Sequence, residues 1–132
     1  MFTNYNVNPL DKYVGDCVIR AISLATGQSW YKTYIEICIQ GLIMADMPSS
    51  NMVWGEYLKS KGFEYEAIPN FCPECYTIAE FCKENKKGEY VLATGKHVVY
   101  VKDGEYYDNW DSGSKVPIYC WRKIVNEWWT IL

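Results

Sequence analysis

The chain has 132 residues, of which 49% are hydrophobic and 17% aromatic, with thirteen basic and sixteen acidic side chains and a net charge of −3. This length suffices for one domain with one hydrophobic core and is too short for a second. The acidic balance argues against a nucleic-acid-binding protein, because such proteins neutralise phosphates with an excess of basic side chains. We therefore expect a single domain over residues 1–132, with most aromatic rings in its core.

Residues 1–6 lack the basic start and apolar stretch of a secretory signal, and the sequence contains no uncharged apolar run long enough to span a membrane. We expect a cytoplasmic protein without membrane partners. In a reducing compartment its six cysteines are expected to be free thiols rather than a disulfide framework: Cys17, Cys38, Cys72, Cys75, Cys82 and Cys120.

The first half of the chain predicts an irregular arm followed by three helices. The Asn-rich residues 1–14 predict an extended or looping arm. A helix over about residues 16–25 should end at Gly27, and Ser29 should cap a second helix over about 30–45. The second helix has an amphipathic side made of Tyr34, Ile37 or Cys38, Gly41 or Leu42, and Ala45. Helical spacing resumes at Met52 and ends at Gly62.

The second half predicts mainly strands. Residues 63–68 alternate apolar and acidic side chains, as a half-buried strand does, and a loop follows over 70–76. Thr77 and Glu80 form a capping box that predicts a short helix to about Asn85. Strands are then expected over 90–93, 97–101, 105–107 and 116–121, with a last strand or packed tail over 127–132. Helices followed by an antiparallel sheet indicate the α+β class.

Cys17 follows a Gly15-Asp16 turn and opens the first predicted helix. The free N–H groups and the positive dipole end of a helix favour thiolate over thiol, and the thiolate is the nucleophile. A free cysteine is more often a small core residue. The position of Cys17, together with the single histidine of the chain, His97, favours a nucleophile and its base. Arg20, one turn further on, is interpreted as a structural cation that binds a carboxylate or a backbone carbonyl, with an acidic substrate group as the alternative.

The register of the hairpin after His97 decides which acid can serve that histidine. A two-residue Asp103-Gly104 turn would place Trp110 opposite His97 and Asp108 diagonally on the same face. A three-residue turn would instead bring Asp111 or Asn109 opposite or diagonal to His97 and point Asp108 away, because a one-residue slip reverses every side chain. The sequence leaves both registers open.

A Gly-Asp-Cys helix start, a late His-Val-Val strand and a Tyr-Tyr pair running into Asp111-Ser112 together resemble the papain-like cysteine peptidase superfamily, and within it the small C39-like peptidases. They also resemble compact uncharacterised proteins of phages and mobile elements. The resemblance implies N-terminal helices, with the nucleophile at the start of the first, packed on a C-terminal antiparallel sheet. It further implies Cys17 as nucleophile, His97 as general base and Asp111 as the residue that orients the imidazole, with Asn109 and Asp108 as alternatives.

The family stabilises its oxyanion with a backbone N–H at the cysteine and a Gln side chain a few residues upstream. No Gln precedes Cys17, and Asp11 occupies the position six residues before it. We expect the backbone N–H of Cys17 to serve as in the family and the side-chain amide of Asn8 to replace the Gln, with Asn6 as the less favoured alternative. Loss of one oxyanion donor can slow such a reaction about a hundredfold.

Cys72-Pro73-Glu74-Cys75 has the spacing of a zinc knuckle. A structural zinc site needs four ligands, and Cys82 with Cys38 or Cys120 would have to complete it. The absence of a second C-x-x-C favours unpaired thiols, so we expect neither a metal nor another cofactor.

The combined prediction is a cysteine peptidase that hydrolyses a peptide or isopeptide bond of a protein or peptide substrate and is a monomer or weak homodimer. Transglutaminase or amide-transfer chemistry is an alternative, because the same triad serves both reactions. A second alternative is a catalytically weak papain-like binding protein, a phage-type factor that grips or inhibits a host protein.

Overall fold

The computed structural model describes residues 1–69 and 76–124, and within these residues the chain is an α+β arrangement of four helices and one six-stranded sheet. In chain order the elements are β1 (Phe2–Asn4), α1 (Cys17–Thr26), α2 (Trp30–Met44), α3 (Asn51–Ser60), β2 (Phe63–Ala67), α4 (Ile78–Glu84), β3 (Glu89–Ala93), β4 (Val98–Lys102), β5 (Glu105–Asp108) and β6 (Tyr119–Lys123). The predicted segment 127–132 and most of the predicted loop 70–76 lie outside the described residues. No helix of the described segments is long and apolar enough to cross a membrane.

The predicted helix ends are confirmed by their caps. Helix α1 ends at Gly27 in the left-handed conformation, with φ of 68°, which glycine adopts without steric cost. The side chain of Ser29 accepts a hydrogen bond from the Lys32 N–H at the start of α2, and that of Thr77 accepts one from the Glu80 N–H at the start of α4. Local side-chain chemistry therefore fixes where these helices begin and end.

The predicted buried side of α2 is partly wrong. Ile37 and Gly41 are buried as expected, but Tyr34 is half exposed and Leu42 is 80% exposed, whereas Thr33 is fully buried. At Gly41 a Cβ atom would lie 2.8 Å from the Asp46 carbonyl oxygen, because the chain folds back over the end of the helix there. The inward side of α2 therefore combines Ile37 with the small residues Thr33 and Gly41, while Tyr34 and Leu42 lie outside.

The sheet is mixed rather than antiparallel as predicted. Its strand order is β1-β5-β4-β3-β6-β2, and β1 runs parallel to β5 while the other neighbouring pairs are antiparallel. The exception comes from the N-terminal arm, whose three residues Phe2–Asn4 pair with β5. So short a polar segment has no period-2 pattern of its own, and the tertiary pairing makes it a strand.

Helices α1, α2 and α3 cover one face of the sheet and α4 covers the other. The first core includes Ile22 of α1, Trp54 of α3 and Val98 of β4, and the second includes Phe81 of α4, Val99 of β4 and Cys120 of β6. Since α1 packs mainly on β4, its N-terminus lies near the start of that strand. His97 immediately precedes β4, so the fold brings Cys17 and His97 together.

Candidate active site

The β4–β5 hairpin has the two-residue turn. Tyr100 pairs with Tyr107 and Lys102 with Glu105, which leaves only Asp103 and Gly104 in the turn. Both turn residues have positive φ, 49° and 81°, the conformation that two-residue hairpin turns require. The register with Asp108 on the same face as His97 is therefore the one the chain adopts.

His97 contacts Asp108 directly. The His97 Nε2 atom lies 2.5 Å from Asp108 Oδ2, and Trp110 packs on the imidazole with ring centroids 4.8 Å apart. The backbone of His97 is fixed by the β3–β4 turn, where its N–H donates to Thr94 Oγ1 and its carbonyl accepts from the Thr94 N–H. Asp108 thus holds one ring nitrogen of His97, Trp110 packs on the ring, and Thr94 fixes the backbone.

Asp111, the residue that the family resemblance favours, does not contact His97. It accepts hydrogen bonds from the Tyr106 hydroxyl at 2.5 Å and from the Gly113 N–H at 3.0 Å. The expected Cys17–His97–Asp111 arrangement is therefore corrected to Cys17, His97 and Asp108. The two-residue turn explains the correction, because β5 reaches the imidazole with its last residue. Asn109 likewise points its backbone N–H at Asp108 Oδ1 rather than serving the histidine.

Cys17 is the first residue of α1 and is partly buried against the first core. Burial alone would raise the pKa of its thiol, but the hydrogen bond with His97, the positive charge of that ring and the Val98 N–H outweigh burial and lower the pKa. The helix N-terminus favours the same ionised form.

His97 shows the matching shift. Burial disfavours charge on the imidazole, yet its hydrogen bonds with Asp108 and Cys17 outweigh burial and raise the pKa of His97 to about 9. A thiol with a lowered pKa beside an imidazole with a raised pKa favours a thiolate–imidazolium pair at neutral pH.

Arg20 links the two ends of the site. Its Nε atom lies 2.8 Å from Asp16 Oδ1 and its Nη1 atom 2.7 Å from Asp108 Oδ1, and all three side chains are buried. Asp16, directly before Cys17, also accepts hydrogen bonds from Trp30 Nε1 and Asn8 Nδ2. The helix start that carries Cys17 is therefore tied to the carboxylate that contacts His97.

Asp108 accepts four hydrogen bonds. Oδ2 contacts His97 Nε2 and the Ser112 hydroxyl, while Oδ1 contacts Arg20 and the Asn109 N–H. Burial opposes ionisation of this carboxyl, but the hydrogen bonds with His97 and Arg20 outweigh it and lower its pKa. Asp108 is therefore a carboxylate that orients and charges the imidazole.

Asn8 is buried and lies beside the site, but its amide is used for structure. Its Nδ2 donates to Asp16 Oδ2 at 3.1 Å, and its Oδ1 accepts from the backbone N–H groups of Leu10 and Lys12. These bonds fold residues 8–16 against the start of α1. The amide of Asn8, expected to be an oxyanion donor, thus holds the side chain of Asp16, the residue before Cys17.

The suggested zinc ligands do not meet within the described residues. Cys72 and Cys75 lie outside them. Cys82 is buried in the second core, where burial raises the pKa of its thiol to about 11. Residues 1–69 and 76–124 contain no group of three His, Cys, Asp or Glu side chains placed to hold a metal ion.

The interpretation of Arg20 as a structural cation that binds a carboxylate is confirmed, but sequence reasoning missed Asp108 as one of its partners and the role of Ser112. The four-residue spacing of Asp16 and Arg20 is a usable signal for their ion pair, since residues at this spacing are neighbours on a helix. The contact between Arg20 and Asp108 joins residues 88 positions apart, and a single sequence carries no local signal for it.

The functional interpretation rests on the residues of this site and their geometry, because known proteins add nothing to it. Comparison of the chain with protein-family models, with curated proteins and with solved structures finds no match.

Proposed function

We propose that this protein catalyses thiol-dependent acyl transfer, most simply hydrolysis of a peptide or isopeptide bond, through Cys17, His97 and Asp108. The observation that carries the proposal is the joint placement of a thiol with lowered pKa, an imidazole with raised pKa and a buried carboxylate on that imidazole. A nucleophile, its base and a third group that orients the base are the arrangement that covalent catalysis requires.

The proposal includes a papain-like fold. Two features support it: the nucleophile opens a helix packed on the sheet, and the order along the chain is Cys, His, Asp. The parallel strand β1 and the position of the acid at the end of β5 are this chain's own variations on that plan.

In the proposed reaction the Cys17 thiolate attacks the substrate carbonyl and forms a C–S bond. The imidazolium of His97 gives its proton to the leaving amine as the C–N bond breaks, and Asp108 stabilises the positive charge of the ring before that transfer. Neutral His97 then takes a proton from a water molecule as that water attacks the thioester carbonyl. The C–S bond breaks, the carboxylic acid leaves, and the Cys17 thiolate and the His97 imidazolium are restored.

Backbone N–H groups at the start of α1 are the oxyanion donors in this scheme. The first N–H groups of a helix have no partner within the helix, and the Asp16 side chain does not cap them. They therefore face the carbonyl that Cys17 attacks, and the dipole of α1 favours negative charge there.

Trapping of the acyl-enzyme tests the proposal. The protein is mixed at pH 6 with an acetyl-amino-acid thioester, and intact mass with peptide mapping locates the acyl group. We expect one adduct, at Cys17. Cys17→Ala should abolish it, and Cys38→Ala, which removes a partly exposed thiol on α2, should not. Addition of a primary amine shows whether the acyl group passes to water or to the amine.

Equal and slow modification of Cys17 and Cys38 would contradict the proposal. That outcome would favour the binding-protein alternative, in which the triad geometry persists without turnover.

A further inference from the structure

A cavity of about 350 Å³ lies between the N-terminal half of α3 and the strands β6 and β2, of which β2 is the edge of the sheet. Three aromatic rings line it: Tyr65, Tyr119 and Trp121. Tyr65 meets Trp121 at 72° with centroids 5.6 Å apart and lies 5.3 Å from Tyr119. The rings therefore form a corner rather than a flat stack, and Tyr65 remains 54% exposed.

The wall opposite the rings is α3. A Cβ atom at Gly55 would lie 2.9 Å from Trp121 Cζ2, so glycine allows the indole to reach the helix backbone. Glycine is less favourable than alanine inside a helix, and the close approach of the ring accounts for its presence. Met52, 67% exposed, adds a flexible apolar side chain at the same wall.

Among the described residues that line the cavity, Glu56 is the only charged one. It is exposed, and within residues 1–69 and 76–124 no cation lies within ion-pair distance of its carboxylate. The nearby strand residues Glu64 and Glu66 do not share this cavity with Glu56. They pair with Arg122, which alternates with Trp121 and so points to the other face of the sheet. An aromatic corner with one unpaired carboxylate matches an organic cation, because ring faces and carboxylates both attract positive charge.

The cavity lies on the same face of the sheet as the nucleophile. Cys17, Tyr119 and Trp121 all pack against the first core. Across the sheet Val98 pairs with Ala93, and Ala93 pairs with Tyr119. Since His97 directly precedes Val98, Tyr119 lies two strand spacings from this side of the site, or roughly 10 Å. An extended peptide covers that distance with about three residues.

We propose that this cavity binds the cationic side chain of a lysine or arginine about three residues from the bond that Cys17 attacks. The inference rests on the proposed acyl-transfer function and names its substrate class, a basic peptide. The alkyl stem packs on Tyr65 and Met52, and the charged end meets Glu56 and the aromatic faces.

Peptide binding to the Cys17→Ala protein tests the cavity without turnover. The probes are acetyl-Ala-Ala-Lys-Ala-Ala-amide, the same peptide with arginine, and the same peptide with norleucine, which has the stem without the charge. Chemical shifts of the indole N–H of Trp121 report occupancy. We expect Kd for the lysine and arginine peptides to be about fivefold lower than for the norleucine peptide.

Two pairs of variants locate the interaction. Glu56→Gln should raise Kd of the lysine peptide about fivefold, whereas Glu64→Gln, the same charge change on the opposite face, should leave it unchanged. Tyr65→Leu should weaken binding and Tyr65→Phe should retain it, because the ring face and not the hydroxyl carries the contact. Equal binding of the norleucine peptide, or an unshifted Trp121 resonance, would overturn the proposal.

Cleavage by the unmodified protein separates the two proposals. Binding at Trp121 without any turnover retains the cation site and removes the proposed catalysis. Turnover at equal rates for the lysine and norleucine peptides retains the catalysis and overturns the cavity as a substrate subsite.

Discussion

Cysteines at two places in this molecule have opposite chemistry. Cys17, at the start of α1, has a lowered pKa, whereas burial raises the pKa of Cys82 to about 11 and that of Cys120 to about 12 in the core beneath α4. Desolvation acts on all three thiols. Of these three thiols only Cys17 has an imidazole and a backbone N–H among the groups that lower its pKa, so polar neighbours, and not exposure, distinguish Cys17 from the two core cysteines.

Removal of the acid behind His97 should have the largest effect on this difference. Asp108→Asn leaves the imidazole without its carboxylate, so the pKa of His97 should fall and that of Cys17 should rise. The thiolate fraction of Cys17 at pH 6, and with it the rate of iodoacetamide modification, should decrease about a hundredfold. Intact mass against time gives the rate, and circular dichroism checks the fold.

Asp111→Asn is the matched control. Asp111 lies three residues further on and contacts Tyr106 rather than His97, so the modification rate of Cys17 should not change. A slower rate in Asp111→Asn than in Asp108→Asn would restore the family-based assignment of Asp111.

Arg20→Gln should have the next largest effect, and on stability. The substitution leaves the buried carboxylates of Asp16 and Asp108 without their shared cation. Loss of one partner from a buried ion pair costs about 3–5 kcal/mol, so the free energy of unfolding in urea should fall by that amount. Arg122→Gln, at an exposed ion pair, should cost less than about 1 kcal/mol. Equal losses would show that the Arg20 network adds no stability of its own.

Much of the fold could be predicted from the sequence because its signals are local. Helix ends are determined by residues within a few positions of them: Gly27, Ser29 and the Thr77 capping box. The Asp103-Gly104 pair likewise predicts a two-residue turn, one of the two hairpin registers that the sequence leaves open. The parallel pairing of β1 was missed because a three-residue strand acquires its structure only from its partner.

The sequence predicted that Cys17 and His97 lie together, but it did not settle which acid contacts His97. Cys17 and His97 stand out by residue type and position, whereas the choice among Asp108, Asn109 and Asp111 depends on a one-residue register. The resemblance to papain-like chains favoured Asp111, and the turn geometry selected Asp108. The contact between Arg20 and Asp108 joins distant segments, so it could only be seen in the folded structure.

Replacing sulfur by oxygen should cost different amounts of stability in the two regions, because their polar surroundings differ. Cys120→Ser places a hydroxyl in an apolar core, where an unsatisfied polar group costs about 1–3 kcal/mol. Cys17→Ser places the hydroxyl beside His97 and the Val98 N–H, which can bond it, and should cost less. Urea unfolding of both variants measures the contrast. A larger loss for Cys17→Ser would indicate that the thiolate–imidazolium pair itself stabilises the fold.

The pH dependence of stability should show the smallest effect, a plateau. In the folded protein the pKa of His97 is raised to about 9 and that of Cys17 is lowered, while in the unfolded chain they are about 6.5 and 8.5. Between about pH 6.5 and 8.5 the unfolded chain holds one proton on the thiol and the folded protein holds one on the imidazole. The proton count of this pair is equal in both states, so it contributes no slope to stability there.

Outside this window the pair should lower stability in both directions. Below about pH 6.5 unfolded His97 takes up a second proton that the folded pair does not bind, so stability falls as pH falls toward the lowered pKa of Cys17. Above about pH 8.5 the unfolded thiol loses its proton while folded His97 still holds one, so stability falls as pH rises. This contribution is lost once folded His97 also loses its proton, near pH 9. Cys17→Ser removes the thiol and should convert the plateau into a decline that begins near pH 6.5, because only the raised pKa of His97 remains. Urea midpoints at pH 6.5, 7.5 and 8.5 distinguish the two curves, and a plateau that survives in Cys17→Ser would mean that the histidine is neutral in the folded protein.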